Sequence, residues 1–170
     1  LAGITANLLM FLVGCCFMYG MVAYGLHQVP ARMIQEGHIL ANVGNQVYAY
    51  SQAEAFQLAP IMTDYLIGPY MGRMASYVFD MIVMFTETNL VLAVFNLIPV
   101  PPLDGYHLLN DTILRRSLFA PQKVAMAGQA LLFVLLLTGW LSQGIGWVEG
   151  KAITGMGSAF ECLFRTLNVI

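Results

Sequence analysis

Charge is what these 170 residues have least of: 9% of the sequence is charged, seven basic and nine acidic side chains, for a net charge of −2. A typical soluble domain carries about 25%. No basic block occurs, so nothing in the sequence neutralises a phosphate backbone, and nucleic acid is excluded as a partner. The three cysteines, Cys15, Cys16 and Cys162, have neither disulfide nor metal-site spacing. The adjacent pair lies in an apolar run, where Cys behaves as a small hydrophobe. The three histidines, His27, His38 and His107, include no pair at i and i+4, so no helix here offers two imidazoles on one face to a metal. Repeats, low-complexity tracts and polar linkers are missing too, and the chain is expected to form one membrane-embedded domain over residues 1–170.

Apolar side chains take the place of charge. They make up 59% of the residues, and mean hydropathy is +0.72. The expected fold class is an all-α membrane protein with about three transmembrane helices. Residues 1–26 carry no charge and exceed the roughly 20 residues that cross hydrocarbon. This run lacks the basic flank and small-residue cleavage site of a signal peptide, so it reads as a membrane helix. Gly14, Gly20 and Gly25 allow close approach of a neighbour. Residues 75–98 form the second span and contain Asp80, Glu87 and Asn89. Asp80 and Glu87 share a face, which favours the bundle interior or water over lipid. A place for Asp80 near the membrane surface fits equally well.

Residues 122–141 form the third span, with Trp140 and Trp147 as an interfacial belt. Residues 148–170 read as a C-terminal amphipathic helix in which Glu161 and Arg165 pair at i and i+4. The more polar connection, residues 27–72, contains Pro30, Pro60 and Pro69 and is expected to hold one or two short helices. Its middle, residues 37–56, lies in the interface or dips into the bilayer.

The second span ends in Asn96-Leu-Ile-Pro-Val-Pro-Pro-Leu-Asp-Gly105. Pro99, Pro101 and Pro102 remove backbone donors and forbid an ordinary helix. Non-helical backbone survives at membrane depth only where protein or a wet cavity surrounds it. An ionisable residue there marks a functional site by default, which singles out Asp104. After it, residues 106–114 are expected to form a short helix. Arg115, Arg116 and Lys123 follow, whereas the longer 27–72 connection holds only Arg32, with Arg73 at its edge. The positive-inside bias turns the Asp104 end toward the cytoplasm.

This segment resembles the Asn-x-x-Pro-x-Pro-x-Leu-Asp-Gly signature of the site-2 protease family, peptidase M50-like zinc metalloproteases that cut inside membranes. Every fixed position is matched, by Asn96, Pro99, Pro101, Leu103, Asp104 and Gly105. The opening, Leu1-Ala-Gly-Ile-Thr-Ala-Asn7, is similar to the family's Ala-Gly-Pro-x-x-Asn segment, with Ile4 in place of Pro. The resemblance implies that Asp104 is the third ligand of a catalytic zinc and that Asn96 contacts substrate or a developing oxyanion. Its implied partners are the lipid bilayer and a transmembrane protein substrate, in a bacterial-type plasma membrane. The lack of regulatory domains places the chain with the compact group of the family.

The family's other zinc ligands come from His-Glu-x-x-His, which this sequence does not contain. The expectation is a fragment truncated at its N-terminus, inactive alone. The alternative is a non-catalytic relative serving as a membrane-complex subunit. His107 reads as a neighbour of the site or an interfacial residue rather than a fourth ligand. A serine-type intramembrane protease is excluded because Gly155-Met-Gly-Ser158 has the wrong order, and an aspartyl type because no Gly-x-Gly-Asp surrounds Asp80 or Asp104.

Overall fold

The computed structural model describes residues 2–36, 38–43, 45–101, 103–109 and 122–167. They fall into two compact units: Leu1–Phe11 with Glu87–Lys151, and Leu12–Thr86 with Ala152–Ile170. Among the helices that contribute to both are α1 (Ala2–His27) and α5 (Arg73–Asn96). Both are long and apolar enough to cross a membrane. Along α1 the buried side chains Phe11, Cys15, Met18, Val22 and Leu26 recur every three or four residues, the stripe by which a helix packs on protein. Leu8, Leu9, Leu12, Val13 and Phe17 are as apolar but exposed, as suits lipid contact.

In the second unit α1 meets α5 where Gly14 faces Thr86. A Cβ at Gly14 would collide with Thr86 Oγ1 and stand 3.3 Å from its Cα, so the two backbones approach as closely as glycine permits. Thr86 satisfies its buried hydroxyl by donating to the Ile82 carbonyl one turn back, at 2.7 Å. The connection between the helices holds a 3-10 turn (Ala31–Met33) and a three-stranded antiparallel sheet: β1 (Ile34–Gln35), β2 (His38–Val43) and β3 (Gln46–Ser51). The register pairs Val43 with Gln46 and His38 with Ser51.

The sheet is a finding that the sequence reading of short helices did not contain. Alternation drives it: Ile39 and Ala41 are buried while their neighbours are less so, a period of two that a helix cannot satisfy. Where one or two short helices were expected, three follow: α2 (Gln52–Leu58), α3 (Thr63–Leu66) and α4 (Gly68–Met71). Helix α2 opens with a capping box: Ser51 Oγ accepts from the Glu54 N–H while the Glu54 carboxylate accepts from the Ser51 N–H.

Two further helices complete the described chain after α6 (Asp104–Leu109). They are α7 (Gln122–Leu137) and α8 (Trp140–Thr166). The third span expected over residues 122–141 is broken, because the chain turns by 73° between α7 and α8. Gly139 makes the turn at φ +74°, a conformation that side chains disfavour. The last turn of α7 is closed by Thr138 N–H donating to the Val134 carbonyl. Among the described residues two helices qualify as spans by length and composition, or three if this bent pair counts as one.

The amphipathic tail lies within α8. Its Glu161–Arg165 pair forms at 3.1 Å, as the spacing predicts. In the second unit that helix is docked on protein as well. Tyr19 of α1 stacks on Phe56 and Phe160, with ring centroids 5.3 and 5.1 Å away, and donates to the Ile153 carbonyl at 3.1 Å. Gln57 donates to Glu161 at 2.8 Å. Arg115 and Arg116 lie outside the described residues.

Candidate metal site at Asp104

Helix α5 ends at Asn96 because the next seven residues include three prolines. The backbone then runs in tight local turns. Leu97 N–H donates to the Ala93 carbonyl, Ile98 to Phe95, Val100 to Ile98 and Leu103 to Val100, at 2.8–3.2 Å. Proline has no N–H, so Pro99 and Pro101 leave nothing to satisfy. A segment without regular structure thereby meets its donor needs locally, which is what a low-dielectric surrounding demands.

Helix α6 begins at Asp104 itself, one residue past the position from which a side chain caps a helix. Gly105 follows under backbone constraint. A Cβ there would run into the Leu97 carbonyl group and stand 2.7 Å from the Ile98 oxygen. The start of α6 is thus folded back onto the end of α5, which brings Asp104 toward Asn96. Both side chains are half-buried and both converge on α1. A Cβ on Gly3 would stand 2.7 Å from Asp104 Oδ2 and 3.9 Å from Asn96 Nδ2. Helix α7 supports the segment through Gly128, whose missing Cβ would lie 3.1 Å from Val100 Cγ1 and 3.2 Å from Pro101 Cδ.

The sequence-derived residues therefore come together: Asn96, Asp104 and Gly3 of the opening segment share one place in the first unit. The contribution of Gly128 was not anticipated. Its signal is the small-residue run Ala125-Met-Ala-Gly-Gln-Ala130 in an otherwise bulky helix. His107, on the next turn of α6, is exposed and sits edge-on to Tyr106, with centroids 5.8 Å apart. His27 and His38 belong to the other unit, where His38 Nδ1 lies 3.2 Å from the Glu36 carbonyl oxygen. Asp80 is exposed and lines an open cleft of about 300 Å³ with residues 60–65, while Glu87 is half-buried.

Among the described residues no three His, Cys, Asp or Glu side chains converge as a complete metal site. The fit to zinc is that of a single ligand. Asp104 offers a hard oxygen donor, half-buried, on a backbone segment whose N–H groups at Leu97, Ile98, Val100 and Leu103 are paired, and an amide beside it can donate to a second oxygen.

A family model described as Peptidase family M50 matches residues 1–139, which include the opening segment, the decapeptide and α7. No curated protein and no solved structure matches the chain.

Proposed function

Because the chain belongs to peptidase family M50, we propose that it is the Asp104-bearing part of a site-2-type zinc endopeptidase that cleaves membrane-spanning proteins. The observation that carries this reading is the convergence of the Asp104 carboxylate and the Asn96 amide on Gly3. Asp104 would hold the metal together with two histidines of a His-Glu-x-x-His helix, a motif these 170 residues do not contain. Bound zinc supplies Lewis acidity, polarising a scissile carbonyl and acidifying a water.

What this chain's own residues do follows from their chemistry. The carboxylate of Asp104 brings negative charge to a cation in a low-dielectric surrounding, where charge neutralisation is worth far more than in water. The Asn96 side chain presents N–H donors beside it, suited to an oxyanion that develops during attack on an amide. The Pro-broken segment and the glycine contacts keep both groups in place before substrate arrives, so little reorganisation is needed at reaction. The apolar faces of α1 and α5 keep the surroundings in lipid, so the substrate class is a transmembrane segment. The basic residues that follow Asp104 support a cytoplasmic orientation of that end, and the membrane proposed is a bacterial-type plasma membrane.

The test uses the full-length protein that contains this chain, with zinc content and cleavage of a membrane substrate measured side by side. Asp104→Ala is expected to lose both. Asp104→Asn is expected to be nearly as damaging, since a neutral amide is a poor zinc ligand. Asn96→Ala is expected to keep zinc and slow cleavage by about 10²–10³-fold, the cost of one oxyanion donor. His107→Ala is expected to be milder than either. Full zinc and full cleavage in Asp104→Ala would remove Asp104 from the metal site.

A further inference from the structure

Resting on the reading of Asp104 as a metal ligand, we propose that Gly3 is a positioning residue: the side chain it lacks is the space in which the Asp104 carboxylate is held. A Cβ at this point of α1 would stand 2.7 Å from Asp104 Oδ2 and 3.7 Å from Asp104 Cγ, and real Cβ atoms essentially never approach another atom within 3.0 Å. Gly3 lies in the first turn of α1, and glycine there gives up helix stability relative to alanine for the space.

The kind of atom in the way separates Gly3 from the other closely packed glycines. At Gly105 the obstacle is backbone, and at Gly14 it extends to the Thr86 Cα, so a methyl group there strains the fold itself. At Gly3 the obstacle is the tip of a side chain. The carboxylate, not the helix, gives way. Gly3→Ala is therefore a substitution that the fold accepts and the ligand does not. Gly20, on the same helix with nothing within 4 Å of its Cβ position, is the matched control.

The experiment uses the full-length protein, zinc-loaded and cobalt-substituted. Gly3→Ala is expected to melt near the wild-type temperature and to keep KM. It is expected to weaken zinc affinity in chelator competition by about 10–100-fold, the range seen when a group that orients a metal ligand is disturbed. The cobalt spectrum shifts and kcat falls. Gly20→Ala is expected to leave KM, kcat, zinc affinity and the cobalt spectrum unchanged and to raise the melting temperature, as alanine does inside a helix.

A metal-free arm reads the same contact. In the Asp104→Ala background no carboxylate remains to collide, so Gly3→Ala should raise thermal stability as alanine in a helix does. With Asp104 present the gain should be smaller, and the difference is the coupling between the two positions. Wild-type affinity and spectrum in Gly3→Ala, with metal lost in Asp104→Ala, would overturn the role of Gly3 and leave that of Asp104 standing. Equal stability effects of Gly3→Ala in both backgrounds would overturn it as well. Unchanged zinc in Asp104→Ala would overturn both.

Discussion

Asp104 stood out as a candidate because it is a carboxylate at the end of a proline-rich break in a chain with little charge, and Asn96 because it matches the site-2 protease signature. Their mutual placement was not legible, since it depends on where backbone carbonyls pass. Gly105 shows the difference. The sequence reads it as a residue that lets the chain turn, whereas the structure makes it a contact, with the Leu97 and Ile98 carbonyls filling the space a Cβ would need. Gly105→Ala is therefore expected to act on folding before it acts on chemistry. Overpacking of this kind costs about 1–3 kcal/mol. The expected result is a lower melting temperature in the metal-free protein, and a wild-type value would remove the contact from the account.

Among the elements, α1, α5 and the C-terminal helix follow from long apolar runs and from the Glu161–Arg165 spacing. The sheet does not, because β2 and β3 are short and lie between prolines in a polar stretch where a helical period looks as good. The break between α7 and α8 depends on a single positive φ at Gly139, which no apolar pattern announces. The junction of β3 and α2 carries its own pH dependence. Two hydrogen bonds from Ser51, through its N–H and its hydroxyl, hold the Glu54 carboxyl below the usual carboxylate range. A folded-state pKa below the unfolded one gives a contribution fully present above the ordinary value of about 4.3 and lost as pH falls through the lowered value. The protection factors of the α2 amides, exchange rates corrected for their intrinsic pH dependence, are thus expected to fall in acid, and Glu54→Gln to flatten that fall. Protection factors independent of acid in the unaltered protein would contradict the cap.

At the scale of the whole molecule, two apolar helices and membership of peptidase family M50 agree on a membrane metalloprotease relationship. Orientation rests on Arg115, Arg116 and Lys123 against Arg32 and Arg73. Cysteines placed at positions 115 and 116, in a background without the native ones, are expected to label only after the membrane is opened. Labelling in intact cells would invert the arrangement. The proposed catalysis turns on contact between the carboxylate at position 104 and the metal. The most direct measurement is the absorption spectrum of the cobalt-substituted full-length protein carrying Asp104→Cys, with Asn96→Cys as the comparison and the native cysteines replaced in both. A thiolate-to-cobalt charge-transfer band is predicted for Asp104→Cys and not for Asn96→Cys. A cobalt-loaded Asp104→Cys protein without that band would contradict the assignment of Asp104 as a ligand.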